Sequence, residues 1–456
     1  MHFRFRTAGE SHGRGLLALV EGVPAGLPLV VERDIDPDLR RRQGGYGRGA
    51  RMKIEQDRAE VLSGIRLGET LGSPIALLIW NRDWQNWKVA MAHAPPPADI
   101  DEEALRRVHL PRPGHADLVG ILKYDRSDAR DILERASARE TTARVAAGAI
   151  AKRLLAEFGI TVGSHIVRLG PVEAAVPETL PEDLNAAVDD SPLRTLDPDA
   201  ERRMIEAIDA ARRDGDTLGG VFEVVIRGVP AGLGSHVSWD RRLDGRLAGA
   251  LMSIQAMKGV EIGLGFEAAR RRGSTVHDEI TRAPMHAEPT TTDGAEGAPA
   301  TARSGGKRSE AEVAEGEVVG RLGGNRSETE VAEGAAAVTG LGGNLSRTGG
   351  YERLSNNAGG LEGGMTTGAP IIVRVAMKPL STLMRPLRSV DVRTGQRADA
   401  VRERSDVVAL AAAGVVGEAM AAIVLADAML EKFGGDSLAE MRRNFEGYLA
   451  RIQPRT

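Results

Sequence analysis

The chain has 456 residues, with 60 lysines and arginines against 64 acids, so its formal charge of -4 argues against a generally basic nucleic-acid or membrane-surface protein. It contains no cysteine, which excludes disulfide frames, thiol nucleophiles and thiolate metal sites. Its length is enough for one large domain or two ordinary ones, each with a real core.

Met1 to Arg6 alternates charge with aromatics and has no apolar stretch of the kind a secretory signal needs, so a cytoplasmic protein is expected. Leu16 to Val20 and Ile75 to Ile79 read as strands among Gly-rich loops, and Asp36-Pro37 should open a short helix between them. From Ser127 onward, Ile132, Leu133, Ala136, Ala143, Ala147, Ile150 and Leu154 keep helical spacing and predict one long helix stopped by Gly159. Helices over 202–213 and 240–257 and strands over 221–226 and 371–375 follow by the same periodicities. A last helix fits 407–433, closed by Gly434-Gly435, with Ser405 or Asp406 as its N-cap. That run is apolar, but Glu418 and Asp427 interrupt it, as suits a buried soluble helix rather than a membrane span. The similar ends Glu157-Phe158-Gly159 and Lys432-Phe433-Gly434 hint at internal duplication, and chance explains them as well.

Residues 286–350 differ from the rest: they lack aromatics, and Ser309 to Gly316 nearly repeats as Ser327 to Gly334. Such a segment cannot bury enough apolar area to offset its ordering entropy, so a disordered surface insertion is expected, with a small repeat module as the alternative.

Between Arg40 and Lys53 lie six basic residues, Arg40, Arg41, Arg42, Arg48, Arg51 and Lys53, with four glycines and no acid among them. Glycines let a backbone approach a ligand, and guanidiniums grip phosphate or carboxylate through charge-assisted bonds of about 1.5–3 kcal/mol each. A solvated basic loop or an RNA-binding segment would look the same. Two of the nine histidines sit in Gly-flanked loops, Gly9-Glu10-Ser11-His12-Gly13 and Arg112-Pro113-Gly114-His115-Ala116-Asp117, where catalytic groups concentrate, although a lone histidine is more often structural. No hydrolase elbow accompanies Ser11, no histidine pair has helical metal-ligand spacing, and Gly305-Gly306-Lys307-Arg308 lacks the Ser/Thr of a phosphate loop.

Taken in order, these segments resemble the chorismate synthase family over nearly the whole chain outside 286–350. Gly9 to Gly22, Glu134-Arg135-Ala136-Ser137-Ala138-Arg139-Glu140-Thr141 and Arg404-Ser405-Asp406 through Glu418 look like its three signatures. Gln43 to Gly49, Pro113 to Asp117 and Gly359 to Met365 match as well. The resemblance implies an α+β (α/β) sandwich, helices layered between antiparallel sheets, as one domain over 1–456 with the insertion. It implies a homotetramer that binds neither nucleic acid nor membrane and takes reduced FMN from an external reductant.

The reaction implied is the 1,4-elimination of phosphate from 5-enolpyruvylshikimate 3-phosphate, with no net redox change. The resemblance puts Arg42, Arg48, Arg51, Arg112, Arg139 and Arg404 around the substrate. It puts Arg135, Ala136, Ser137, Gln255, Ala256, Gly363, Lys378, Pro379, Leu380, Ser381, Thr382 and Arg404 around the flavin, with no metal. His12 would protonate the leaving phosphate, His115 would sit on the N1 side of the flavin, and Asp406 would relay the C6 proton through N5. Whether Arg42 and Arg48 also meet a nicotinamide nucleotide such as NADP stays open. An inactive structural relative and an Arg-rich RNA-binding protein are the rivals, the second weakened by an aromatic content of 3%.

Overall fold

A computed structural model describes residues 1–49, 54–282, 347–403 and 406–452. Most of the segment 286–350 lies outside them, while Arg347–Thr348 forms a strand paired with Tyr351–Arg353.

Two antiparallel sheets carry the fold. The first runs in the order Arg4–Ala8, Gly15–Glu21, Ile75–Trp80, Glu60–Ser63. Its inner face is the every-second-residue set Leu16, Ala18, Val20, Ile75, Leu77 and Ile79, all buried, which is the pattern of a sheet covered on one side. The second sheet orders Met257–Ile262, Ile371–Met377, Gly220–Arg227, Thr161–Leu169 and Val172–Glu173.

Between the sheets lie two long helices. Thr141–Ala156 packs on strand Gly15–Glu21, Leu410–Phe433 packs on strands Thr161–Leu169 and Gly220–Arg227, and the helices pack on each other. Small residues make this double layer possible. A Cβ on Gly148 would stand 2.3 Å from Ala419 Cβ, so the two backbones approach as closely as a glycine allows. Leu410–Phe433 is long and apolar enough to cross a membrane by composition, but 89% of its most apolar window is buried inside the protein. Of its acids, Glu418 is fully buried and held by Arg41 at 2.8 Å, Lys152 at 2.9 Å and Arg194 at 3.1 Å.

The helix expected over 202–213 runs Pro198–Asp214, and three helices that border the cavity described below also depart from the sequence reading. The long helix expected from Ser127 is two, Arg130–Ala136 and Thr141–Ala156, broken at Ser137, whose ψ of 143° is extended. Ser137 Oγ accepts the Arg139 N–H at 3.3 Å and so starts a new turn where helical periodicity alone would have run on. The helix expected over 240–257 covers only Leu243–Met252, because Ala256 turns into the left-handed region at φ 71° and Met257 joins the second sheet. The last helix begins at Leu410 rather than 407, without a side-chain cap. The Val407 N–H is given to Gly47 O at 2.9 Å and Val407 O accepts from Leu218 N at 3.0 Å, so this backbone is held sideways before the helix can start. Phe158 and Phe433, at the two matching helix ends, both pack edge-on to Phe445, at 5.1 and 5.2 Å.

Candidate active site

A cavity of about 510 Å³ opens where the first turns of Leu410–Phe433 meet the break at Ser137, and loops from six parts of the chain close around it. Part of the lining is apolar, from Leu133, Ala136, Ile254, Met257, Met377 and Val416. Part is cationic, from Arg42, Arg48, Arg112, Arg139 and Lys378, and Glu403 and Asp406 are the carboxylates in the lining. A helix beginning at the cavity adds the positive end of its dipole.

The guanidiniums are partly compensated from behind. Arg139 bonds Asp57 through Nη1 at 2.7 and 2.8 Å and Asn81 through Nε at 2.9 Å. Arg42 donates to Thr141 Oγ1 at 3.0 Å and Ala138 O at 2.8 Å, with Asp57 only at 3.7 Å. Burial therefore pushes the Arg42 guanidinium below its ordinary value, against the pull of Asp57, and the nearby charges of Arg139 and Arg48 push it the same way. Arg42 Nη1, Arg139 Nη2 and Gln255 Oε1 are buried with no hydrogen-bond partner among the described residues. Such groups are costly unless a ligand satisfies them. The basic stretch is thus less uncompensated than its sequence suggests: Arg41 turns into the core towards Glu418, and Arg48 Nε meets Asp406 at 2.9 Å.

Both loop histidines face the cavity, and each has Nδ1 on a carboxylate. His12 Nδ1 lies 2.9 Å from Glu134 Oε1, and His115 Nδ1 lies 2.5 Å from Asp117 Oδ1. Burial opposes ionisation of Asp117, but the hydrogen bonds from His115 and Arg112 outweigh it and hold the carboxyl well below the usual range. Glu134 is lowered in the same way, with burial opposing and the bond from His12 prevailing. Ser11 and Ser137 hydroxyls lie 3.2 Å apart on the same rim.

The cavity gathers His12, His115, Asp406, Arg42, Arg48, Arg112 and Arg139 from the expected catalytic and substrate sets. It also gathers Ala136, Ser137, Gln255, Ala256, Lys378, Pro379, Leu380, Ser381 and Thr382 from the expected flavin set. Arg51 and Arg404 lie outside the described residues. Arg135 and Gly363 are not brought to the lining: Arg135 reaches back to Thr7 O at 2.9 Å and Gly9 O at 3.1 Å, and Gly363 turns the hairpin between Leu361–Glu362 and Met365–Thr366. The sequence reading missed Glu134 and Trp87 as partners of His12, and Glu403 and the apolar wall as lining. Glu134 stood in a motif already singled out, so its carboxylate was the available signal.

A model of the chorismate synthase family matches residues 3–320 and 312–430. The chain is 52% identical over 454 residues to the chorismate synthase of Symbiobacterium thermophilum, covering 99% of this chain and 100% of that one. It is 50% identical over 461 residues to that of Aquifex aeolicus, covering 99% and 98%. A solved structure titled "Crystal Structure of Chorismate Synthase" superposes with a TM-score of 0.68 at 41% identity, covering 99% of both chains. Likeness of this extent, over the same segments that build the cavity, shows that the chain belongs to the chorismate synthase family.

Proposed function

We propose that this cavity is where the chain acts as a lyase of the shikimate pathway, converting 5-enolpyruvylshikimate 3-phosphate to chorismate with reduced FMN bound beside the substrate. The observation that carries the reading is the meeting of His12, His115, Asp406 and four guanidiniums, from segments far apart in sequence, around one cavity.

The residues suit both molecules. A substrate with one phosphate and two carboxylates matches Arg42, Arg48, Arg112 and Arg139, guanidiniums that bind it and stabilise the phosphate as it leaves. The apolar wall, the Lys378 to Thr382 run and the unsatisfied Gln255 Oε1 are the surfaces on which a planar, hydrogen-bonding ring system fits. When bound there, reduced FMN supplies electron density to the allylic system.

The bonds broken are C3–O to phosphate and C6–H, and the electrons reorganise into the diene, so phosphate and a proton leave with no net redox change. His12 gives a proton to the departing phosphate, and its ring is held for that task by Glu134. His115, held by Asp117, keeps a proton at the cofactor side of the cavity. Asp406 is the group that finally takes up the proton lost from C6. Arg48 keeps the Asp406 carboxylate aimed into the cavity and meets the substrate's charge on its other side.

The assembly is read as a homotetramer in the cytoplasm that draws reduced flavin from a separate source. Leu118, Val119, Leu122 and Tyr124, exposed on the helix Asp117–Tyr124, give further copies an apolar surface to cover. Anaerobic incubation of the purified chain with reduced FMN and substrate should yield chorismate and one phosphate each, and oxidised FMN should yield neither. Absence of chorismate under reduced flavin would refute the reading.

A further inference from the structure

The chemistry of His12 depends on which of its ring nitrogens carries the proton, and the groups around it are arranged to decide that. Glu134 is buried, and its two oxygens stand 2.9 and 3.0 Å from His12 Nδ1. Glu134 Oε2 also accepts the His12 backbone N–H at 2.8 Å, so one carboxylate grips both the main chain and the ring of the same residue. Arg130 Nη1 donates to Glu134 Oε1 at 2.9 Å, and Arg130 Nη2 reaches Glu403 at 3.1 Å. A buried carboxylate without such a partner would be expensive; with it, the charge is kept and its position is fixed.

The flat face of the ring is held too. Trp87 stacks on His12 with centroids 3.8 Å apart and planes 27° from parallel. Trp87 Nε1 donates to Asp83 Oδ2 at 3.0 Å, and the Arg106 and Arg130 guanidiniums lie over the indole at 4.3 and 5.0 Å. The imidazole is thus fixed by an edge contact and a face contact that come from different parts of the chain. His115 has the same edge contact with Asp117, itself clamped by Arg112 at 2.9 Å.

We propose that Glu134 is a positioning residue for the elimination: together with Trp87 it fixes His12 with hydrogen on Nδ1, so that Nε2 is the nitrogen that exchanges a proton with the phosphate. An acceptor-only carboxylate forces a donor at Nδ1, which selects one neutral tautomer of two. The rival is that Glu134 only pins the Gly9–Gly13 loop through the His12 main chain, in which case any acceptor of that N–H would serve equally.

The proposal rests on His12 being the acid, and the experiment separates the two. The full chain, labelled with ¹⁵N-histidine, is examined by NMR for the neutral tautomer of His12, assigned by the signal missing in His12→Ala. Anaerobic steady-state rates are measured in parallel with reduced FMN. The parent should show hydrogen on Nδ1. Glu134→Gln, which keeps an oxygen for the backbone N–H, should mix in the Nε2–H tautomer and lose about 10- to 100-fold in kcat, part of what a positioned acid contributes, with KM within about threefold. Glu134→Asp should keep the Nδ1–H tautomer and recover much of kcat. If Glu134→Gln does not fold, the tautomers of the parent and of Glu134→Asp carry the test. An Nε2–H tautomer in the parent overturns the proposal, as does a Glu134→Gln enzyme with the parental tautomer and parental kcat. Parental turnover by His12→Ala would instead end the assignment of His12 as the acid, while the tautomers still report whether Glu134 sets the ring.

Discussion

Among its contacts with described residues, one carboxylate of Asp406 serves Gly49 and Arg48 together: Oδ1 accepts the Gly49 N–H at 2.6 Å and Oδ2 meets Arg48 Nε at 2.9 Å. Asp406→Asn keeps the shape and one oxygen for Gly49 but no longer takes up a proton. Its kcat should fall about 100-fold or more with KM changed only severalfold, and turnover within twofold of the parent would remove Asp406 from the role of base. Arg48→Ala has the opposite signature. Loss of one charge-assisted contact of about 1.5–3 kcal/mol should weaken substrate binding by roughly 10- to 100-fold, read by calorimetry, and an unchanged Kd would argue against the cage. The residue types at the site were legible in the sequence because arginines, glycines and loop histidines cluster locally. Their partners were not. Asp406 stands in sequence as a helix N-cap candidate, whereas its described partner, Arg48, comes from the other end of the chain, and only the fold can make such a pairing.

At the scale of elements, periodicity located strands Gly15–Glu21, Ile75–Trp80, Gly220–Arg227 and Ile371–Met377 and both central helices. It erred at the three places where an element stops to make the site: Ser137, Ala256 and Val407. Each stop comes from a local bond or a sheet pairing that overrides helical preference, and a hydrophobic pattern carries no trace of those. The contact between the central helices offers a test of packing against propensity. Gly148→Ala should gain up to about 1 kcal/mol from intrinsic helix preference. Its new Cβ would lie 2.3 Å from Ala419 Cβ and 2.5 Å from Ala419 Cα, so the backbones must part, and overpacking of this kind costs about 1–3 kcal/mol. Packing should win. Urea unfolding should show a net loss of stability for Gly148→Ala and recovery in Gly148→Ala combined with Ala419→Gly, whereas a stabilised single variant would mean that the helices separate freely.

For the whole molecule, the strands Ile280–Arg282 and Arg347–Thr348 flank Tyr351–Arg353 in one small sheet. Their spacing across that sheet is about 10 Å, two strand separations. Replacing 283–346 by a linker of five or six Gly and Ser residues should therefore leave chorismate formation within about twofold, because such a linker spans that gap. Loss of activity with retained folding would give the segment a part in the reaction.

The acids that tie the layers together decide how the molecule responds to pH. Glu418, Glu223, Asp117, Glu134 and Glu140 all have folded pKa values below their ordinary ones. In each, burial opposes the shift and is outweighed by cationic or hydrogen-bonding partners, for Glu418 chiefly the charges of Arg41, Lys152 and Arg194. The unfolded chain therefore binds more protons than the folded one in acid. Stability from these groups is fully present above the ordinary values of 3.8 for Asp and 4.5 for Glu, and it drains as pH falls below them towards the folded values. The urea midpoint should stay nearly level from pH 7 to 5 and then fall. Glu418→Gln takes the shared acid from buried Arg194 and from half-buried Arg41 and Lys152, which keep Asp38, and should lower stability at pH 7 by up to about 3–5 kcal/mol. It should also make the acid limb shallower, because one of the protons taken up on unfolding is gone. A variant as stable as the parent at pH 7, with an unchanged acid limb, would show that the central helices are held by their apolar contact alone.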